Sequence, residues 1–174
     1  MMKIKYLMAS LFIISPLAQA DLGAINLKLS ATIVSNTCVV RASSTNQTVN
    51  LGTWASRQFY AGVEPVTTPV PFTIFLDKCG PAAKSVEVRF SGVKDNVDNS
   101  LFALNGASTA TKVAIAILDK TQGKMLPEVW GKPELLSANA DSVPLVFYAQ
   151  YVATGSSVTA GSANSQATFE LRYE

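Results

Sequence analysis

The residues of this chain that could do chemistry are few, and two cysteines are the most informative of them. The 174-residue sequence contains Cys38 and Cys79 and has no histidine. A metal site or a reactive thiol is the competing interpretation, but it lacks both a histidine and a short cysteine spacing. The first twenty residues, described below, have the pattern of an export signal, and two cysteines in an exported protein normally form one structural disulfide. We therefore predict a Cys38–Cys79 bridge, worth roughly 4 kcal/mol in the chain-entropy model.

Carboxylate pairs and tryptophans are the remaining candidates for a site. Asp95 and Asp98 lie in residues 95–111, a segment rich in Asn, Ser and Ala that we interpret as a long surface connection. An enzyme would need a nucleophile–base pair or a metal centre, and a carboxylate pair in a loop is weak support for either. Trp54 and Trp130 are interpreted as packing or loop residues rather than a sugar platform. We predict no catalytic residues, no metal and no cofactor.

The first twenty residues have the pattern of a secretory signal peptide. Lys3 and Lys5 precede an apolar run at residues 7–14, and Ala18-Gln19-Ala20 is a small-residue cleavage site. The pattern predicts export and a mature chain that begins at Asp21. No later segment is long and apolar enough for a transmembrane helix, so we expect no stable membrane insertion.

The charge of the mature chain excludes one class of partner. The whole sequence has 14 Lys and Arg against 12 Asp and Glu, and the signal peptide removes two lysines, which leaves 12 against 12. Because the mature chain is balanced and has no basic run, we expect no nucleic-acid partner. Its length fits one domain with a core of its own.

The rest of the sequence reads as short strands separated by turn residues. Apolar residues alternate with others or form short runs, and no segment has a convincing helical period. These runs predict an all-β sandwich, with residues 143–152 as a central strand. The predicted strands are residues 49–51, 70–76, 86–90, 113–118, 125–126, 143–152 and 168–173.

An apolar arm precedes the first cysteine. Residues 21–34 form this arm, and from residue 25 to residue 33 every second side chain is apolar and would lie on one face of a strand: Ile25, Leu27, Leu29, Ala31 and Ile33. The chain ends on a similar pattern, in which Ala167, Phe169, Leu171 and Tyr173 alternate with polar residues. Gly161 precedes it, where a bulge or a close backbone approach is expected. A terminal strand this apolar needs neighbours on both sides, and the arm is the spare strand.

Several motifs in this order resemble one family. They are Cys38-Val39-Val40, Val49-Asn50-Leu51-Gly52, residues 72–76 before Cys79, Val88-Arg89-Phe90-Ser91-Gly92, and residues 113–119 followed by Gly123. Together with the ending, where Tyr173 is penultimate and Gly161 is fourteenth from the end, they resemble pilin subunits of chaperone–usher, type 1-like fimbriae.

The resemblance implies an incomplete immunoglobulin-like β-sandwich that lacks its last strand and is completed by a donor strand from another chain. Residues 1–20 would be the signal peptide, 21–34 the donor-strand extension and 35–174 the pilin domain. The implied partners are a periplasmic pilus chaperone, an outer-membrane usher and neighbouring pilin subunits, and Gly161 and residues 167–173 would serve the chaperone and the groove edge.

The implied function is that of a shaft, minor or adaptor subunit that polymerises by donor-strand exchange, after export through the periplasm to a fimbria on the bacterial surface. The alternative is a fimbrial tip adhesin that binds a host receptor. The chain departs from the family at one position, because Ala31 stands where the family usually has glycine.

Overall fold

Eight β-strands, a one-turn helix and a short 3-10 helix make up the part of the chain that the computed structural model describes, residues 37–60 and 65–174. The strands are β1 (Val39–Val40), β2 (Val70–Asp77), β3 (Ser85–Ser91), β4 (Val113–Leu118), β5 (Lys124–Met125), β6 (Glu134–Leu135), β7 (Ser142–Ala153) and β8 (Thr168–Tyr173). The helix α1 spans Ala42–Thr45 and the 3-10 helix spans Ser56–Tyr60. No helix within the described ranges is long and apolar enough to cross a membrane.

The strands form two antiparallel sheets. One has the order β1-β2-β7-β4-β5 and the other has the order β6-β3-β8. The twelve-residue strand β7 lies between β2 and β4, which confirms the predicted central strand. It occupies the centre because its inward side chains, Leu145, Phe147 and Ala149, are buried at alternate positions.

The core lies between the two sheets. Val86, Val88 and Phe90 of β3 face inward and are buried with Ile74 and Leu76 of β2. Three aromatic rings meet there in edge-on or tilted arrangements, with centroids 5.1 to 6.1 Å apart: Phe72, Phe90 and Phe147. The predicted all-β sandwich is confirmed.

The predicted strand at residues 49–51 is wrong, because these residues form no strand and join neither sheet. Gly52 has a positive φ of 82°, and its N–H donates to the side chain of Asn50 at 2.9 Å. This local hydrogen bond competes with strand pairing. Leu51 is nevertheless buried, and its carbonyl accepts a hydrogen bond from the indole of Trp54 at 2.7 Å.

Residues 95–111 are not simply a surface connection, as the sequence suggested. Leu101 and Phe102 within this segment are 0% and 1% exposed, so both belong to the interior. Phe102 also exchanges two backbone hydrogen bonds with Ile115 of β4, at 2.8 and 2.9 Å. Ahead of these two residues, the side chain of Asp95 accepts hydrogen bonds from the N–H groups of Val97 and Asp98, which shape the loop.

Candidate functional site

The last strand lies at the edge of its sheet. Strand β8 pairs with β3 over its whole length, from Val86 opposite Tyr173 to Ser91 opposite Thr168. Within residues 37–60 and 65–174, no strand pairs with the other edge of β8. The backbone N–H and C=O groups along that edge are therefore the ones that a further strand would bind.

The inward side chains of β8 continue the core toward this edge. Phe169, Leu171 and Tyr173 are half-buried and pack against the buried cluster between the sheets. Burial raises the pKa of the Tyr173 phenol. Ala167, which the sequence placed on the same face, lies just before the strand and is exposed. The apolar surface of β8 thus consists of three side chains rather than four.

The outward side chains of β8 form two ion pairs with β3. Arg89 pairs with Glu170, and Glu87 pairs with Arg172. The hydrogen bond from Arg89, more than that from Ser91, holds the pKa of Glu170 below its ordinary value. The sequence analysis did not identify this cluster, although the alternation of opposite charges in both strands was a visible signal.

Trp130 completes the outward cluster. Its ring lies 4.6 Å from the guanidinium carbon of Arg89 and 4.5 Å from that of Arg172. These distances are those of cation–π contacts. The interpretation of Trp130 as a packing residue agrees with this position, because the indole is packed against charged groups of the sheet.

Gly161 lies in a tight backbone contact outside β8. A Cβ atom at this position would lie 2.5 Å from the backbone nitrogen of Ala110 and 2.5 Å from the hydroxyl oxygen of Thr109. The close backbone approach expected from the sequence is therefore present. It is made within the subunit, against residues 109 and 110, and accounts for a glycine at this position.

The two cysteines form the predicted disulfide. The sulfur atoms of Cys38 and Cys79 are bonded, and the residues are 41 positions apart in the chain. Both are buried in the core. The bridge joins Cys38, which directly precedes β1, to Cys79, which lies just after the end of β2. The predicted Cys38–Cys79 bridge is confirmed.

The carboxylates considered for catalysis bind backbone groups instead. Asp95 accepts hydrogen bonds from two N–H groups, and Asp98 accepts one from the N–H of Ser100 at 2.9 Å. Hydrogen bonds from Ser100 also lower the pKa of Asp98. These contacts shape the loop and leave the carboxylates in a structural role.

The residues proposed as the donor strand lie outside the described residues. They are Ile25, Leu27, Leu29, Ala31 and Ile33. The boundaries at residues 20 and 34 also lie there, so both remain predictions.

Comparison with known proteins identifies the family. The fimbrial protein family matches residues 27–174. The chain belongs to this family. It is 38% identical over 161 residues to the Fimbrial-like protein FimF of Salmonella typhimurium, an alignment that covers 91% of each chain. It is also 38% identical over 146 residues to the Fimbrial subunit type 1 of Salmonella typhimurium, with 82% of this chain and 78% of that protein covered.

The fold of the fimbrial chain is that of a pilin. The crystal structure of the P pilus rod subunit PapA superposes with a TM-score of 0.67 at 21% identity, covering 79% of this chain and 99% of that one. The predicted immunoglobulin-like fold is thereby confirmed. As a member of this family the chain is a structural subunit of a surface pilus that contacts other pilin subunits, which supports the subunit prediction over the tip-adhesin alternative.

Proposed function

We propose that this pilin is joined to its neighbours by strand addition at the free edge of β8. The main support for this proposal is that β8 pairs only with β3 among the described strands, while its inward side chains pack against the core. A strand added beside β8 would pair with its backbone and cover Phe169, Leu171 and Tyr173. Chaperone–pilin complementation is a known instance of this recognition mode.

Residues 21–34 are the segment that we propose as the added strand. Ile25, Leu27, Leu29, Ala31 and Ile33 recur at every second position, so one face of an extended strand would be apolar throughout. Backbone hydrogen bonds would supply affinity, and pockets for alternate side chains would supply specificity. The arm of one subunit would thus complete the sandwich of another, in a shaft, minor or adaptor position.

The same edge explains why a chaperone would be needed before assembly. Unpaired backbone groups beside an apolar surface are a template for aggregation. We propose that a periplasmic pilus chaperone lends a strand to β8 until an outer-membrane usher exchanges it for the arm of the next subunit. Residues 167–173 would line this contact, and Gly161 would support it from the chain ahead of β8.

The route of export follows from two features of the sequence. Residues 1–20 have the pattern of a signal peptide, and the Cys38–Cys79 bridge requires an oxidising compartment such as the periplasm. We assign the exported subunit a structural role and no enzymatic activity, in keeping with its family.

Removal of the arm tests this proposal. The chain without residues 21–34 and the full mature chain are each expressed with and without a periplasmic pilus chaperone, and soluble yield is measured. We expect the shortened chain to be soluble only with the chaperone, because no strand among residues 37–60 and 65–174 covers the free edge of β8. Equal soluble yield without the chaperone would mean that the sandwich is already complete.

A further inference from the structure

The pairing of β8 with β3 lacks the device that commonly fixes the register of antiparallel strands. A hairpin turn sets the register of the strands that it joins, but β3 ends at Ser91 and β8 begins at Thr168. The apolar pattern excludes a slip of one residue, since that would turn every inward side chain outward. It does not exclude a slip of two, which would place Phe169 or Tyr173 opposite Val88 in place of Leu171.

We propose that four charged residues on the outward face set this register: Glu87, Arg89, Glu170 and Arg172. In the observed pairing, each residue lies opposite one of the other sign, and both pairs are ion pairs. The charge order is negative then positive along β3, and negative then positive along β8. Because the strands are antiparallel, these orders match only in the observed register.

A slip of two residues brings like charges together in either direction. In one direction, Glu87 would face Glu170, and Arg89 would face Thr168. In the other direction, Arg89 would face Arg172, and Glu87 would face Glu174. Directly opposite like charges destabilise a strand pair, whereas opposite charges stabilise it. The outward face therefore distinguishes registers that the alternation of apolar residues alone does not.

Trp130 strengthens this discrimination by its position over both arginines. The indole covers the guanidinium groups of Arg89 and Arg172 at about the same distance. Gly131, the next residue, donates a backbone hydrogen bond to Val88 at 2.9 Å, which holds the tryptophan beside β3. Charges that are partly shielded from water interact more strongly than fully solvated ones.

The register of β8 matters for the proposed strand addition. A slip of two residues moves the strand by about 7 Å along its axis, which shifts every backbone group and pocket that its free edge offers. This consequence rests on the proposed function. The register itself does not, so the two can be tested separately.

The competing explanation is an anchor in the chain just ahead of β8. The hydroxyl of Ser165 donates to the carbonyl of Ala103 at 2.6 Å, and Asn105 donates through its N–H to the carbonyl of Asn164 at 2.7 Å. If these contacts fixed the register, a change in the order of charges would leave it unaltered.

Exchanging one ion pair separates these explanations. The variant Glu87→Lys with Arg172→Glu keeps two opposite-charge pairs in the observed register, but gives β3 two positive charges and β8 two negative ones. Slipped registers then also pair opposite charges. The matched control exchanges the second pair as well, through Arg89→Glu and Glu170→Lys, and restores the alternation while removing both arginines from Trp130.

Register is measured by disulfide cross-linking in the full mature chain. The pair Ser91→Cys with Thr168→Cys reports the observed register, because these residues lie opposite each other. The pairs Ser91→Cys with Gln166→Cys and Val93→Cys with Thr168→Cys report the two slipped registers. Peptide mapping by mass spectrometry identifies each cross-link and confirms that the Cys38–Cys79 bridge is retained.

We expect the slipped cross-links to rise about tenfold in the one-pair variant relative to the unmodified charges, and to return to the original level in the two-pair control. Slipped cross-links that stay unchanged in the one-pair variant would overturn the proposal in favour of the anchor. A rise that persists in the control would also overturn it, because the contacts with Trp130 would then be responsible. Fimbrial assembly is scored separately, because it tests the proposed strand addition, whereas the cross-links report the register whether or not assembly occurs.

Discussion

The hydroxyl of Tyr173 lies 3.4 Å from the backbone carbonyl oxygen of Cys38. Tyr173 ends β8 in the three-stranded sheet, whereas Cys38 immediately precedes β1 in the five-stranded sheet. The contact therefore joins the two layers beside the disulfide. Its length indicates a weak hydrogen bond, so the packing of the ring is the larger contribution of this residue.

Substitutions of Tyr173 should separate the ring from the hydroxyl. We expect Tyr173→Phe to lower the free energy of unfolding by about 1 kcal/mol or less, and Tyr173→Ala by about 2 to 4 kcal/mol, because a half-buried aromatic side chain is lost. Urea unfolding measures both. A cost for Tyr173→Phe as large as that for Tyr173→Ala would contradict the assignment.

The same phenol gives a pH dependence. Burial raises the pKa of Tyr173 in the folded state above its unfolded value of 10.0. The stability that the neutral phenol contributes to the fold is therefore complete below pH 10.0 and is lost as pH rises through the folded pKa. We expect Tyr173→Phe to lose less stability than the unmodified chain when the pH is raised above about 10.

Gly161 should tolerate no side chain. The Cβ of Gly161→Ala would lie 2.7 Å or less from backbone atoms of Thr109 and Ala110, so we expect a loss of about 1 to 3 kcal/mol in the free energy of unfolding. Gly106→Ala is the matched control, since no atom beyond the residue and its two chain neighbours lies within 4 Å of its added Cβ, and it should change stability by about 0.5 kcal/mol or less. Equal effects of the two substitutions would rule out the close approach as the reason for the glycine.

The disulfide should make a large contribution to stability. We expect the double variant Cys38→Ala with Cys79→Ala to lose about 4 kcal/mol, because the bridge closes a loop across 41 positions. Thermal unfolding of the variant, compared with the reduced and oxidised unmodified chain, measures this loss. If the variant matched the oxidised chain, the bridge would not stabilise the fold.

Acid should weaken the ion pair between Arg41 and Asp77. Two hydrogen bonds of 2.9 and 2.7 Å join their side chains, and these bonds are the main reason that the pKa of Asp77 is lowered from 3.8. Since the folded pKa is the lower one, this stabilisation is present above about pH 4 and is lost as pH falls through the folded pKa. We expect Arg41→Gln to be less stable than the unmodified chain at neutral pH.

The difference between these chains should shrink as the pH falls below about 4, and Asp77→Asn should show the same convergence. Melting temperatures at several pH values give the comparison. A difference that stays constant down to about pH 2 would show that the pair does not titrate in this way.

The longer strands can be predicted from the sequence because apolar alternation reports directly on burial. Strands β2, β3, β4, β7 and β8 are recognisable in this way, and the cysteines indicate the disulfide. The segment at residues 49–51 has a similar apolar pattern, but the local hydrogen bond from the N–H of Gly52 to the side chain of Asn50 competes with strand pairing. A three-residue pattern is too short to reveal which of these effects prevails.

Contacts between distant residues could not be predicted in the same way. Leu101 and Phe102 have Asn, Ser and Ala as neighbours in the sequence, so the local composition suggested a surface loop. Their burial depends on contacts with distant residues, such as the pairing of Phe102 with Ile115. The cluster around Trp130 depends on the register of two strands that lie far apart in the chain. Strands β1 and β6 have two residues each, which is too few for periodicity.

The central claim is that the apolar face of residues 21–34 docks beside β8 of another subunit. Peptides of this segment are the most direct test, scored by native gel for displacement of a periplasmic pilus chaperone from its complex with the subunit. Leu27→Asp would place a carboxylate in an apolar pocket without a partner, which costs several kcal/mol. Lys28→Asp is the matched control, since residue 28 would lie on the opposite face of an extended strand.

We expect the Leu27→Asp peptide to exchange at least about a hundredfold less well than the unmodified peptide. The Lys28→Asp peptide should remain within a few-fold of it, because its carboxylate stays in water. If the two variant peptides displace the chaperone equally well, the arm does not dock through this face, and subunits are not joined by the proposed strand addition.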